Sequence, residues 1–212
     1  MKSENRRIVV LITTTIIILV SLYLNIELKD KYMQDQELQC FSYESQQKNY
    51  YCGPATAVMI LRYEGIDMEQ EEVAIDLETE NYEGTPWYDD SYPMKDTLNK
   101  YLKEDVYQEL SGKCDSNVIV DSIVKTLDKG YLVAVNIVET SLTAHLEGHP
   151  RDQDIYHWIV ICDYEDNGKN FKYMDPAASS VVSWHRGVPK IGTVTSEDLC
   201  SMVIDRGVIV SP

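Results

Sequence analysis

Residues 46–63 read QQKNYYCGPATAVMILRY, and the fold is read outward from them. Ala55, Val58, Met59 and Leu61 are apolar at helical spacing, and Gly65 supplies a stop, so the stretch from Cys52 to Tyr63 is expected to be a helix. Pro54 fits its first turn, where a missing N–H costs nothing. Cys52 therefore sits where a helix begins. A thiol there faces unpaired N–H groups and the positive end of the helix dipole, which favour the nucleophilic thiolate. Gln46, just upstream, can fold its amide back beside the thiol and join the Cys52 N–H as an oxyanion hole.

Downstream, three more helices are expected. One (MEQEEVAIDLE) opens at Asp67 as its cap, with acids in its first turn. The others run over Tyr92–Leu102 and Asp115–Lys129, the last closed by Gly130. The period then changes. Tyr131–Ile137 and His157–Tyr164 are β-rich and apolar, and Asp166-Asn167-Gly168-Lys169 is a turn leading into Phe171–Met174. Val181–Trp184 and Gly207–Val210 read as two further strands, and Thr195-Ser196-Glu197-Asp198 starts a short helix. Helices first and antiparallel strands second make an α+β domain, a helical half packed on an antiparallel sheet with room for a cleft between them.

The three blocks Gln46…Cys52-Gly53-Pro54-Ala55, His157-Trp158-Ile159-Val160-Ile161 and Met174-Asp175-Pro176 resemble, in order, those of bacteriocin-processing (double-glycine) peptidases and their stand-alone relatives. That group is cysteine peptidase family 39, within the papain-like superfamily. The resemblance covers about residues 46–176 and implies a papain-like fold and peptide-bond hydrolysis without a cofactor. It implies Cys52 as nucleophile, His157 as general base and acid, Asp175 as orienter of His157, and Gln46 as oxyanion donor. Turning at Asn167-Gly168, the hairpin from Asp163 should return Asp175 to the His157 end, with Asp163 pointing away. No transporter or ATP-binding domain accompanies these motifs, so export-coupled leader cleavage does not follow. An amidase or transpeptidase acting on wall peptides, or an idle relative that binds peptides, would share the same motifs.

The N-terminal region points to a membrane. Ile8–Leu24 (IVVLITTTIIILVSLYL) carries no charge and follows Lys2, Arg6 and Arg7. As a helix it spans about 25 Å, slightly short of a bilayer core, and flanking side chains can make up the rest. The basic flank, 1–7, is expected in the cytoplasm, 8–24 as an uncleaved signal-anchor, 25–39 as a polar spacer, and 40–212 outside as the peptidase domain. A cleaved signal peptide has the same charge layout, but an A-x-A-like end is missing.

Composition narrows the partners. A formal net charge of −16 repels nucleic acid and tolerates basic peptides or a cationic wall polymer. Expected partners are a peptide or protein substrate and the membrane. The 5 cysteines contain no CxxC pair, so no zinc ribbon is expected, and at least one thiol is left over within a chain. Cys162 reads as core packing; a disulfide among Cys40, Cys114 and Cys200 is possible outside the cell, with no pairing deducible. Of the 4 histidines, His145 and His149 have metal-like spacing, but Gly148 and Pro150 spoil a helix there and no metal is expected. The polar segment His145–Tyr156 and the aromatic, acidic loop Trp87–Asp90 with Tyr92 are candidate cleft walls, and His185 reads as surface.

Overall fold

The protein is described by a computed structural model covering residues 40–88 and 92–212, with Val20, Ser21 and Tyr23. The expected flank, anchor and spacer (1–7, 8–24, 25–39) otherwise lie outside the described residues, as do Asp89 and Asp90. Among the described residues no helix is long and apolar enough to cross a membrane. Residues 39–212 form one unit.

A 3₁₀ turn at Cys40–Ser42 precedes helix α1, Cys52–Tyr63. Every α1 residue from Cys52 to Leu61 is buried. A helix apolar on nearly all sides must lie inside a core, and α1 packs on the sheet. Gly65, at φ +79°, ends it in the left-handed conformation that glycine adopts without penalty. Helix α2 is Gln70–Asp76, shorter than the expected segment opening at Asp67. The Glu69 carboxylate accepts from the N3 backbone while the Glu72 side chain accepts from the Glu69 N–H, and this capping box places the start later. Asp67 instead lies 3.5 Å from the Arg62 guanidinium. Helix α3, Pro93–Leu102, starts on Tyr92 with Pro93 in its first turn.

Strand β1 is Gln108–Ser111, and helix α4, Ser116–Asp128, follows with Asp115 accepting from the Asn117 N–H. Then come β2, Val133–Glu139, β3, Ile155–Glu165, and β4, Asn170–Met174. Strand β5, Ile191–Thr195, leads directly into helix α5, Ser196–Val203, capped by the Thr195 hydroxyl, and β6 is Gly207–Val210. The sheet is antiparallel throughout, in the order β1-β6-β2-β3-β4-β5.

Alternation along β2 and β3 sends side chains to two cores. Ala134, Trp158, Val160 and Cys162 meet α1, whereas Val133, Val135, Ile159 and Ile161 meet α4 and α5. Both faces are thus covered, and β2 is buried along its whole length. The expected strand Val181–Trp184 is not one: its residues lie in turns, with the Val182 and His185 N–H groups bonded to Ser179 and Val182 carbonyls. The partner of β4 is β5 instead, with Met174 opposite Ile191. This releases the chain after Met174 to wrap over the site described next.

Cys162 is not a simple packing residue, because it forms a disulfide with Cys40. The bond closes a loop of sequence separation 122 and leaves Cys52, Cys114 and Cys200 as free thiols. A loop that long constrains the unfolded chain, which is worth about 2–4 kcal/mol. Replacing Cys40 and Cys162 together by Ala is expected to lower Tm by roughly 5–15 °C, read by thermal denaturation with and without reductant. The wild type should respond to reductant and the double variant should not.

Candidate active site

Cys52 opens α1 and lies against His157, which enters β3 near its first residue. A cleft of 560 Å³ runs past both, with Gln46, Trp87, Asn136 and Trp184 among its walls. Gly53 lets the opposite wall come close: a Cβ there would sit 2.0 Å from the Thr85 hydroxyl. Thr85 is held in turn by the Trp158 indole N–H, which donates to its carbonyl at 3.1 Å. Helix start, strand start and the Thr85 loop are thereby locked into one rim.

The β3–β4 hairpin turns through Asp166, Asn167 and Gly168, all at positive φ (51°, 57° and 82°). Asn, Asp and Gly are the residues that tolerate this region best. The register sets Met174 opposite Val160, so the next residue, Asp175, emerges toward His157. Its Oδ1 lies 2.8 Å from His157 Nε2 and also accepts from the Ala177 N–H at 2.8 Å. With Nε2 so engaged, Nδ1 is the nitrogen left for Cys52. Asp163 points elsewhere, accepting from Lys172 Nζ at 3.0 Å.

Gln46 is buried and anchored from both backbone sides. Its N–H donates to the Pro176 carbonyl at 3.0 Å, and its carbonyl accepts from the Ser179 hydroxyl at 2.7 Å. The side-chain Nε2 donates to the Lys48 carbonyl at 2.8 Å, which still leaves one amide hydrogen. Gln47, its neighbour in sequence, is bonded outward to Glu44.

Burial sets the electrostatics. Asp175 is fully buried, and burial alone would raise its pKa. The facing His157 and His149 rings overcome this and hold the carboxyl well below the usual range. For His157, burial works against the charge, but the Asp175 carboxylate and then the Cys52 sulfur lift it to about 10.

Sequence reasoning missed four residues. His149 turns inward, with Nε2 2.8 Å from Asp175 Oδ2 and Nδ1 2.7 Å from Glu139 Oε2. Trp184 stacks edge-on against the His149 ring at 4.6 Å. Asn136 is only 4% exposed and lies on the cleft wall. One signal was available: Glu139 closes the apolar run of β2, and an acid buried there requires a partner. The segment His145–Tyr156 divides, with Gln153–Tyr156 lining the cleft and His149 behind it. His185 is half-buried, its Nδ1 2.7 Å from the Val182 carbonyl. His149, His157 and Asp175 are a set that can hold a metal ion. Their facing atoms already bond one another, and Glu139 takes the remaining His149 nitrogen, so the set is a hydrogen-bond relay.

The Peptidase_C39 like family matches residues 38–191. No curated protein matches the chain. Among solved structures, a C39-like peptidase from Bacillus anthracis is similar at 14% identity and TM-score 0.52, over 80% of this chain and 93% of that one. At that identity the likeness concerns the fold alone. The peptidase domain of Streptococcus ComA, a bi-functional ABC transporter, gives 14% identity and TM-score 0.47, over 80% and 97%. A double glycine motif protease from an AMS/PCAT transporter, in complex with the leader peptide, gives 12% and 0.48, over 80% and 91%. The family match spans most of the chain and takes in Cys52, His157 and Asp175 alike, and on it the chain belongs to the Peptidase_C39 like family, as a cysteine peptidase.

Proposed function

We propose that this protein is a membrane-anchored, extracytoplasmic peptidase that hydrolyses peptide bonds with Cys52, His157 and Asp175. The observation that carries the reading is the continuous chain of contacts Cys52–His157–Asp175 along one cleft, with the thiol at a helix start. His157 takes the Cys52 proton, and the thiolate attacks the scissile carbonyl carbon. The oxygen becomes an oxyanion, held by the Cys52 N–H, which has no intrahelical acceptor, and by the Gln46 amide. The tetrahedral intermediate collapses, His157 protonates the leaving amine, and a thioester remains on Cys52. Water, deprotonated by His157, attacks the thioester and releases the acid, and the proton returns to the thiol–imidazole pair. Asp175 accepts from Nε2 throughout, keeping Nδ1 toward the thiol.

The test is incubation of the purified domain with a peptide library, reading new termini by mass spectrometry. New α-amino groups support hydrolysis, whereas joined peptides would make the protein a transpeptidase. Gln46→Ala is expected to lower kcat by roughly 10²–10³-fold, about 3–4 kcal/mol, with little change in the alkylation rate of Cys52. Gln47→Ala should leave both unchanged; the reverse pattern would shift the oxyanion donor by one residue.

The location rests on Lys2, Arg6 and Arg7 ahead of Ile8–Leu24, and is supported by the Cys40–Cys162 disulfide, a bond that persists in oxidising compartments. Protease added outside intact cells should digest the domain while the chain keeps its first residues. A domain protected from that protease would contradict the orientation.

A further inference from the structure

We propose that His149 is a positioning residue of the active site: a doubly protonated imidazolium, clamped between two buried carboxylates, that fixes Asp175 for His157. The inference rests on Cys52 and His157 being the reacting pair.

A neutral imidazole has one N–H donor and one acceptor nitrogen. Both His149 nitrogens face carboxylate oxygens, Glu139 Oε2 at 2.7 Å and Asp175 Oδ2 at 2.8 Å. A lone pair held against a carboxylate at that distance is repulsive, so each contact needs a proton. The other two oxygens are supplied already. Glu139 Oε1 accepts from the Leu146 N–H at 2.6 Å, and Asp175 Oδ1 accepts from Ala177 N–H and His157. With His149 protonated twice, all four oxygens of two ionised carboxylates receive a donor. The side chains of Glu139, His149 and Asp175 have no exposed area. One imidazolium then lies between two carboxylates, the second of which also faces His157.

The surroundings are consistent with that state. Burial opposes charge on His149, and the Asp175 and Glu139 hydrogen bonds outweigh it, so its pKa is raised; His157, with ring centroid 5.5 Å away, pulls the other way. The other titratable groups facing the network are His145, whose Nδ1 is 3.7 Å from Glu139 Oε2, and Tyr43 and Tyr173, which both feel the Asp175 charge, with Glu147 beside Tyr173. Trp184 closes the remaining side with an apolar edge contact.

The role follows from Asp175 having two oxygens and two imidazoles. If Oδ2 were free, the carboxylate could rotate about its χ2 bond and trade partners. With His149 on Oδ2 and Ala177 N–H on Oδ1, only one orientation keeps every bond, and in it Oδ1 faces His157. His157 then keeps its counter-charge in place while it takes the Cys52 proton.

Two readouts test this, neither needing a substrate. The first is ring-nitrogen NMR of histidine-labelled protein at pH 7. Both His149 nitrogens should carry hydrogen in the wild type. In Glu139→Gln, whose amide can donate to Nδ1, only Nε2 should do so, with the fold kept. A bare His149 nitrogen in the wild type would overturn the proposal. The second is iodoacetamide alkylation of Cys52 across pH. His149→Phe, which fills the space without donating, should move the midpoint up by about one pH unit or more. Glu139→Gln, which leaves His149 one donor for Asp175, should shift the midpoint in the same direction by less than His149→Phe does. A His149→Phe profile that overlays the wild type would overturn the positioning role. If that variant does not fold, His149→Gln, with one amide donor, should shift the midpoint by less than a unit in the same direction, and no shift would again overturn it. A wild-type Cys52 that resists alkylation at every pH would instead sink the peptidase reading, and with it the positioning role, while the NMR result still decides the protonation of His149.

Discussion

Cys52→Ala is expected to abolish peptide hydrolysis, by roughly 10⁴–10⁶-fold, and to leave the domain folded. The size of the effect follows from the chemistry. No other thiol is in the cleft: the remaining free cysteines, Cys114 and Cys200, pack with the second core, on the α4–α5 face of the sheet. Cys200 is a poor substitute in any case, since burial pushes its pKa up. Without the sulfur there is no thioester, and the oxyanion donors alone give only residual catalysis. Stability should change little, because alanine keeps the Cβ and the helix, and only the contacts of one sulfur, with His157 and the neighbouring core, are lost. Circular dichroism and Tm within a few degrees of the wild type, beside a lost turnover, would fit. Substantial residual hydrolysis would not.

Asp175→Ala is expected to do two things at once, lowering kcat on the order of 10⁴-fold and destabilising the domain by about 3–5 kcal/mol. Two buried imidazoles and the Ala177 N–H all lose their acceptor. Asp175→Asn should separate the effects. Its Oδ1 can still accept from His157 and Ala177, and its Nδ2 can donate to a His149 that has given up a proton. The fold should survive with part of the turnover. Linkage gives the same residue a pH signature. The depressed Asp175 contributes stability that is present above its unfolded pKa, about 3.9, and is lost as pH falls below that toward its folded value. The raised His157 contributes stability that is full below about 6.5 and is lost as pH rises through its folded pKa of about 10. Tm against pH should therefore fall on both sides of about pH 4–6.5 in the wild type, and Asp175→Asn should flatten both limbs.

Much of this was legible because local chemistry and global fold agree. Cys52 through Leu61 is apolar all round, with proline and glycine placed as helix punctuation, and only a buried helix suits that pattern. Asp166-Asn167-Gly168 names its own hairpin, and the hairpin's register carries Asp175 to His157 without any knowledge of the rest. What could not be read was whatever depends on long-range partners. Strand β1 (QELS) is polar, and β5 (IGTVT) alternates correctly but offers only Ile191 and Val194 as large apolar residues, so neither stands out from a loop. Val181–Trp184 has strand composition, yet its tryptophan is used against His149. Cys162 follows the strand alternation of a packing residue, and nothing in β3 announces Cys40. His149 lies among Gly148, Pro150 and charged neighbours that read as exposed loop, and only the fold brings it between Glu139 and Asp175.

The central claim, that Cys52 is the nucleophile of this cleft, is tested most directly by reacting the intact protein with an epoxysuccinyl probe at neutral pH and mapping the modified residue by mass spectrometry. One adduct on Cys52, absent from Cys52→Ala and accompanied by loss of hydrolysis, is the expected result. Adducts on Cys114 or Cys200 with Cys52 unmodified would contradict it.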